Sequence, residues 1–201
     1  MTTSSSDQRL GLRERKKLKT RKAIQENAFR LFAEQGYEAT TVEQIAEAAE
    51  VSPSTFFRYF PSKEEVVLQD DFDPLIYEVL LAQPADLSPL EAVRRTIVSL
   101  IGELPAEDKH AVFQRVQLSM NVPALRARQW ENIEEGGQVI ANALAVRTGR
   151  PADDYAIQVF TMSLMGAQVT ALYHWVRTGG TGDFAELLNE AFEVLARGDL
   201  S

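Results

Sequence analysis

The spacing of apolar residues predicts α-helices along the whole chain. Between residues 13 and 35 the apolar positions fall near helical spacing, which is typical of a helix buried on one face; they are Leu18, Ile24, Ala28, Leu31 and Phe32. Gly36 follows as a typical C-terminal stop. No segment shows the strict apolar–polar alternation of a half-buried strand. The pattern therefore predicts an all-α protein.

Three helix starts follow in quick succession between residues 40 and 62. Thr40 and Glu43 have the spacing of a capping box, in which each side chain binds the other residue's backbone N–H. Ser52 before Pro53 is typical of an N-cap followed by the first helical residue. Ser62, with Glu three residues later, is a third start. Two very short helices are thus predicted between longer ones.

Beyond residue 66 the chain remains helical but carries no recognisable motif. Pro74 should break or kink the helix that begins at Ser62. Further starts at Ser88, Pro105, Pro123 and positions 151 and 183 bring the prediction to about nine or ten helices and no strands.

The last two predicted helices have the strongest apolar character. Residues 155–176 form the longest stretch without Lys, Arg, Asp or Glu, and their scattered polar residues make a poor membrane span, so we expect a helix buried in protein. The last helix carries an apolar stripe at helical spacing, made of Phe184, Leu187, Leu188, Ala191, Phe192 and Leu195. Two such helices from each of two subunits would form a four-helix dimer interface. Burial of both helices within a monomer is the alternative.

Charge is distributed very unevenly, and this changes the functional picture. The net charge is -8, yet residues 9–30 contain nine Lys or Arg and only two Glu. A local basic segment suits phosphate binding even in an acidic protein, although it is also typical of a solvated helix end. Residues 1–10 are Ser/Thr-rich and are predicted to be a disordered tail. The N-terminus lacks the apolar segment of a secretory signal, and the absence of Cys fits a cytoplasmic protein.

The residues give no support to an enzyme. The sequence has no Cys nucleophile, no G-x-S-x-G, no Gly-rich phosphate loop and no H-E-x-x-H. His110 and His174 have no companions at metal-ligand spacing, so neither a metal nor a cofactor is predicted.

Residues 40–60 instead have the parts of a helix-turn-helix. Val42, Ile45 and Ala46 give the first short helix an apolar face, and Phe56 with Phe60 can close a small core from the second. Five consecutive residues from Phe56 to Phe60 cannot all point inward on a helix. An outward face is therefore predicted, consisting of Ser54, Thr55, Phe57, Arg58 and Tyr59. Exposed hydroxyls at a helix N-terminus suit phosphate oxygens.

Residues 13–66 resemble the DNA-binding domain of the TetR family of transcriptional regulators. The resemblance rests on LFAEQGYEATT (31–41) and VSPSTFFRYFPSKEE (51–65). It implies three DNA-binding helices over 11–61 and a helical ligand-binding and dimerisation domain over 62–201. Positions that match DNA contacts of the family, mostly to phosphates, are Thr41, Ser52, Ser54, Thr55, Tyr59 and Lys63. Phe57 and Arg58 lie on the recognition helix, and Lys16, Lys17 and Lys19 match the basic approach to the first helix.

Two positions depart from the family pattern. Glu50 stands where Gly is usual, so the turn must avoid a positive φ or accept mild strain. Phe57 stands where Tyr is common, so one phosphate contact from a hydroxyl is missing. A protein adaptor with a degenerate helix-turn-helix is the rival hypothesis, and the retained Thr41, Thr55 and Lys63 count against it.

The family implies a small-molecule pocket inside the C-terminal bundle. Candidate lining residues, each of which also fits plain core, are Phe72, Phe113, Gln117, Met120, Trp130, Phe160, Met162, Met165, Gln168, Tyr173, His174 and Trp175. Residues 52–75 are also similar to a subgroup that resembles the mycofactocin-system regulator, which is linked to long-chain acyl-CoA ligands. An apolar, Met-rich interior suits an acyl chain, but it also suits a drug or a flavonoid. The expected partners are operator DNA, a hydrophobic effector and a second copy of the chain.

Overall fold

The computed structural model describes residues 11–69 and 73–198, and the predicted tail over 1–10 lies outside them. Eleven α-helices and no strand occur in these two ranges, which confirms the all-α prediction. The helices are α1 Leu12–Gln35, α2 Val42–Ala48, α3 Pro53–Tyr59, α4 Lys63–Leu68, α5 Asp73–Ala82, α6 Pro89–Gly102, α7 Ala106–Asn121, α8 Pro123–Ala127, α9 Gln129–Thr148, α10 Tyr155–Arg177 and α11 Phe184–Arg197. The count exceeds the predicted nine or ten because a break at Arg128 separates α8 from α9.

Polar residues begin the helices as the sequence predicts. The hydroxyls of Ser52, Ser62 and Ser88 each accept a hydrogen bond from the backbone N–H three residues later. Each bond satisfies a donor that the first helical turn cannot pair internally. The helix that begins after Ser62 ends at Leu68, before Pro74, which lies in the first turn of α5.

The described chain divides into two compact units, and the first ends at Gln69. In this first unit, α1 packs against α2 and α4, and α2 packs against α3. The core contains residues from all four helices, which are Ile24, Ala28, Phe32, Ile45, Ala46, Phe56, Phe60, Val66 and Val67. The helix α4 thus belongs to the first unit, whereas the boundary predicted from the sequence is at residue 61. Burial of Val66 and Val67 is the physical reason for the difference.

The second unit contains α5 to α11, with α10 packed between α9 and α11. The Trp175 ring of α10 stacks on Phe184 of α11 with ring centroids 4.8 Å apart. The opposite end of the bundle is held by Arg147 of α9, whose guanidinium donates to the backbone oxygens of Leu80, Gln83 and Pro84 at 3.2, 2.7 and 2.8 Å. These oxygens lie at the C-terminal end of α5, where the helix dipole favours a cation.

The helix α10 is less buried than its composition predicts. It is long and apolar enough to cross a membrane, with a mean hydropathy of 1.2, but only 28% of that apolar segment is buried within the chain. Tyr155 is 83% exposed and Val159 is 48% exposed. Contacts within the single chain therefore bury only part of α10, whereas the sequence predicts a helix buried in protein.

The apolar stripe of α11 is partly confirmed. Phe184, Leu188 and Phe192 are buried as predicted, whereas Leu195 is exposed. The inner side of α11 contacts α6 and α10. Most of the stripe is therefore buried within the single chain, as part of the core of the second unit.

Candidate nucleic-acid interface

The first short helix of the motif, α2, begins one residue later than predicted. Its N-cap is Thr41, whose hydroxyl accepts from the Gln44 N–H at 3.2 Å, while the Gln44 side chain accepts from the Thr41 N–H at 2.9 Å. The predicted capping box of Thr40 with Glu43 is therefore wrong. Thr40 is buried instead and donates to the Gly36 carbonyl at 2.8 Å, which closes the end of α1.

The turn between α2 and α3 accepts a positive φ at Glu50. This residue has φ +54°, in the left-handed region that usually holds Gly. The Val51 N–H donates to the Ala46 oxygen at 2.9 Å, and the Glu50 N–H donates to the Glu47 oxygen at 3.0 Å. This pair of bonds is a Schellman motif, which ends α2 and sets the path into α3.

The start of α3 gathers three of the predicted DNA-binding residues. The Ser52 hydroxyl accepts from the Thr55 N–H at 3.1 Å, donates to the Thr55 hydroxyl at 2.9 Å and shares a hydrogen bond with the Ser54 hydroxyl at 2.9 Å. Ser52 and Ser54 are exposed, and Thr55 is half-buried. Three hydroxyls thus lie together at the start of α3, where the Ser52 hydroxyl also pairs a backbone N–H that the first turn cannot pair internally.

The remaining residues of α3 separate into an inner and an outer side. Phe56 and Phe60 are fully buried, as predicted. Phe57 and Arg58 are exposed, and the Arg58 guanidinium lies 5.5 Å from the centroid of the half-buried Tyr59 ring. Of the predicted outward face, Ser54, Phe57 and Arg58 are exposed, whereas Thr55 and Tyr59 are half-buried.

Lys63 of α4 makes contacts within the first unit that the sequence did not predict. Its ammonium donates to the backbone oxygens of Tyr37 and Thr40 at 2.8 and 3.0 Å, and it lies 4.1 Å from the centroid of the Tyr37 ring. An ammonium has three donors, so one remains for another acceptor. Lys63 thus ties α4 to the segment that leads from α1 to α2.

Glu64 joins the same network from the other side. The Tyr37 hydroxyl donates to its carboxylate at 2.9 Å. Burial alone would raise the pKa of Glu64, but hydrogen bonds from its own backbone N–H, from Tyr37 and from Ser62, together with the charge of Lys63, outweigh that effect and lower the pKa below its usual value.

The basic residues before this motif lie on the first turns of α1. Lys16, Lys17 and Lys19 are all exposed, and the Lys16 backbone oxygen accepts from the Thr20 hydroxyl at 2.9 Å. Among the described side chains of the first unit, the ion pairs are Lys22–Glu26 and Arg30–Glu34, and neither involves these three ammonium groups. They keep the positive charge that the sequence predicts for phosphate binding.

The predicted ligand-binding residues of the second unit do not form one group. Phe113 lies edge-on to Trp175 with ring centroids 5.6 Å apart, and Met120, Phe160 and Tyr173 pack against the core. Met162 and Met165 meet at Gly137 of α9, where an added Cβ would lie 3.5 to 3.6 Å from both side chains. Gln168 is half-buried, and burial raises the pKa of the Tyr173 phenol.

Three other ligand candidates do not face the interior of the bundle. Gln117 and His174 are exposed, and Trp130 is 60% exposed and donates to the Glu134 carboxylate at 2.9 Å. Their chemical type suited a pocket, but their positions on α7, α9 and α10 turn them outward. Phe72 lies outside the described residues.

Buried polar atoms add Thr161 to the interior set and place the predicted candidate Trp175 in it. The Thr161 hydroxyl and the Trp175 indole N–H are buried and have no hydrogen-bond partner within the described ranges. Thr161 is one of two Thr residues in the largely apolar helix α10, and this polar position was the available sequence signal. Within the same ranges, no group of three or more acidic or His side chains could hold a metal ion.

Comparison with known proteins assigns both parts of the chain. The profile of bacterial regulatory proteins of the tetR family matches residues 24–69, and the MftR C-terminal domain matches residues 87–199. The regulator TcmR of Streptomyces glaucescens is 39% identical over 160 residues, which cover 76% of this chain and 71% of TcmR. MftR of Mycobacterium tuberculosis, described as a mycofactocin biosynthesis transcriptional regulator, is 26% identical over 177 residues, covering 87% of this chain and 88% of MftR.

A solved structure supports the same assignment. The TetR family repressor FadR of Thermus thermophilus, in complex with lauroyl-CoA, has a TM-score of 0.58 and 29% identity to this chain, with 90% of this chain and 95% of FadR covered. These relatives are regulators of transcription and not enzymes. The chain therefore belongs to the TetR family of bacterial transcriptional regulators, with a helix-turn-helix DNA-binding domain followed by a C-terminal domain of the MftR type.

Proposed function

We propose that this chain is a cytoplasmic repressor that binds a two-fold symmetric operator as a homodimer and releases it when a hydrophobic small molecule binds. The observation that carries the proposal is the outer side of α3, where three clustered hydroxyls, an aromatic ring and a guanidinium lie on one surface. A helix with this exposed surface suits the major groove of DNA.

The roles of individual residues follow from their chemistry. Hydroxyls and ammonium groups bind phosphates without regard to sequence, so we assign that role to Thr41, Ser52, Ser54, Thr55, Tyr59 and Lys63. Lys16, Lys17 and Lys19 add long-range attraction to the DNA backbone. Arg58 and Phe57 are left to face the bases.

Footprinting and sedimentation on a duplex selected by the protein would test this proposal. We expect two protected half-sites related by a two-fold axis, spaced about one helical turn or more apart, and two chains bound. Protection of one asymmetric half-site by a single chain would contradict it.

The proposed dimer uses α10 and α11. Support comes from the exposed apolar side chains on α10, since so much apolar surface typically marks a protein interface. Val159→Asp should therefore shift the protein to monomers in sedimentation. Val146→Asp provides a control, because Val146 is also an exposed valine, at 63% against 48% for Val159, and lies on α9. A dimer that survives Val159→Asp and dissociates with Val146→Asp would contradict the assignment of the interface to α10 and α11.

A long-chain acyl-CoA is the effector that we favour. Support comes from the FadR structure in complex with lauroyl-CoA, which is 29% identical to this chain, and from the Met and aromatic side chains that line the interior of the second unit. An acyl chain needs an apolar tunnel, and flexible Met side chains adapt to its shape. Candidates for the lining are the inward residues Phe113, Met120, Phe160, Met162 and Met165.

Release of DNA needs a link between the two units, and we propose that it runs through α4 and α5. The Gln25 side chain of α1 donates to the backbone oxygens of Val66 and Gln69 at 3.4 and 3.2 Å, so α4 moves with the DNA-binding helices. Arg147 fixes the far end of α5 to α9 within the second unit. A ligand that prefers one position of α5 would thereby change the separation of the two recognition helices.

Calorimetry with and without operator tests this coupling. A coupling of about 1–3 kcal/mol corresponds to a 5–150-fold loss of DNA affinity, and lauroyl-CoA must bind more weakly by the same factor when operator is present. Equal affinities for lauroyl-CoA in both titrations would contradict the release mechanism.

A further inference from the structure

The side chain of Phe57 has an anchored inner side and an uncovered outer side. Its ring meets the Phe56 ring edge-on, with centroids 5.5 Å apart and planes at 86°, and Phe56 is fully buried. Phe57 itself is 50% exposed. The ring is therefore held at a fixed place on the surface of α3, and no described residue of the first unit covers its outer side.

The neighbours of Phe57 on that surface are small or positively charged. Pro53 and Ser54, four and three residues earlier on the helix, are both exposed. Arg58 follows directly, and its guanidinium lies toward the Tyr59 ring. Phe57 is thus an apolar group within a surface that otherwise suits polyanionic DNA.

The chemistry of a phenyl ring restricts what it can bind in a major groove. It has no hydrogen-bond donor or acceptor, so it can replace neither a phosphate contact nor a polar base contact. A ring placed against a polar base edge would remove water from that edge without replacing its hydrogen bonds, which is costly. The one apolar group that base pairs present in the major groove is the 5-methyl group of thymine.

Resting on the proposed function, we infer that Phe57 binds the 5-methyl group of one thymine in each operator half-site. It therefore determines specificity for a T·A pair at that position, whereas the hydroxyls of α3 fix the position of the helix on the backbone. The replacement of the family's usual Tyr by Phe removes a hydroxyl that would bind a phosphate, so only the apolar ring is left to contact DNA at this position.

The experiment replaces thymines by deoxyuridine, which removes only the methyl group. A duplex is first selected from random sequences by the full-length wild-type protein, and each thymine is then replaced at both symmetry-related positions. One pair of replacements should weaken binding about fourfold per half-site, the effect of losing one buried methyl-sized group, and roughly fifteenfold for the dimer. Replacements elsewhere should have little effect.

Variants of the protein identify the residue that reads the methyl group. Phe57→Ala should bind the thymine and deoxyuridine duplexes equally at the sensitive position, and Phe57→Leu should keep part of the difference because it stays apolar. Tyr59→Phe is the matched control, since it should weaken binding to both duplexes and keep their ratio. Circular dichroism would show whether substitution of the half-exposed Phe57 leaves the helical fold intact.

The outcomes separate this inference from the proposed function. If no duplex is enriched in the selection, both are overturned. If a duplex is enriched but no thymine is sensitive to loss of its methyl group, or if Phe57→Ala keeps the full fifteenfold ratio, the role of Phe57 is overturned and the DNA-binding function stands.

Discussion

Substitution of Glu50 by Gly should stabilise the first unit. Glu50 has φ +54° at the end of α2, where its backbone forms the Schellman motif with Val51 and Ala46. An L-residue in the left-handed region costs about 1–2 kcal/mol because Cβ approaches the carbonyl oxygen. Glycine avoids that cost, so Glu50→Gly removes strain at a turn on which the placement of α3 depends.

Two further effects set the net magnitude. Glycine loses about 0.5–1 kcal/mol more conformational entropy on folding than another residue, which offsets part of the gain. The Glu50 carboxylate also lies just beyond the C-terminal end of α2, where a negative charge is unfavourable by about 0.3–1 kcal/mol. The expected net gain for Glu50→Gly is about 1 kcal/mol.

Glu50→Ala separates strain from charge. It removes the same carboxylate but keeps Cβ and the strained φ, so it should give about half of that gain or less. Amide hydrogen exchange of α2 and α3 in the full-length protein would measure both variants, since 1 kcal/mol slows exchange about fivefold when local opening limits it. Equal protection in the Gly and Ala variants would refute the role of backbone strain.

Three other substitutions test one proposed contact with DNA and two contacts within the units. Lys63→Ala should weaken binding to all DNA sequences alike and lower the salt dependence by about one unit of slope per chain, whereas a change in base preference at constant slope would exclude a phosphate contact. Arg147→Ala should cost about 2–4 kcal/mol through loss of three charge-assisted hydrogen bonds, seen as faster exchange of α5 amides, and Arg147→Lys should restore part of it. Tyr37→Phe should move the pKa of Glu64 up toward its ordinary value in a carboxyl NMR titration. Because the folded pKa is lowered, the stability from Glu64 is present above about pH 4.5 and is lost as the pH falls through the folded value, so the wild type and Tyr37→Phe should differ above that range and converge below it.

The helix starts of the chain were predictable because capping is local. Ser52, Ser62 and Ser88 each cap the helix that the sequence assigns to them. The error at Thr40 and Thr41 shows where local reasoning ends. Both are adequate N-caps, and the choice depends on burial of Thr40 and its bond to the end of α1, which are features of the tertiary structure.

The outward face of α3 was predictable for a geometric reason. Because Phe56 and the C-cap residue Phe60 bury the same side of the short helix α3, the opposite side must be exposed, and Phe57 and Arg58 were assigned correctly to the surface. The contacts of Lys63 with two backbone oxygens were not predictable, since they join residues more than twenty positions apart.

The ligand-binding candidates of the second unit were predicted from the chemical type of their side chains. Chemical type does not determine whether a side chain faces the interior of the bundle or the solvent. A Trp or a Gln suits both a pocket wall and a helix surface, and the packing of α7, α9 and α10 decides which side faces inward. Trp130 and Trp175 illustrate this point, because one is mostly exposed and the other is buried against Phe113 and Phe184. The periodicity of α9 and α10 is too weakly amphipathic to fix their rotation in advance, since small and apolar residues occur around most of each helix.

The exposure of α10 connects the two parts of the proposed mechanism. The inner side of α10 packs against α9 and α11, and the proposed effector site lies in the interior of this same bundle. Much of the apolar surface of α10 is left uncovered in a single chain. Burial of exposed apolar surface stabilises association, so a partner subunit would pack against the outer side of α10 and fix its position. A bound ligand would contact the inner side of the same helix. A dimer held in this way fixes α10 in each subunit, whereas α5 lies outside the proposed dimer interface and follows the first unit directly in the chain. That constraint favours α5 over α10 as the helix that changes position when the effector binds.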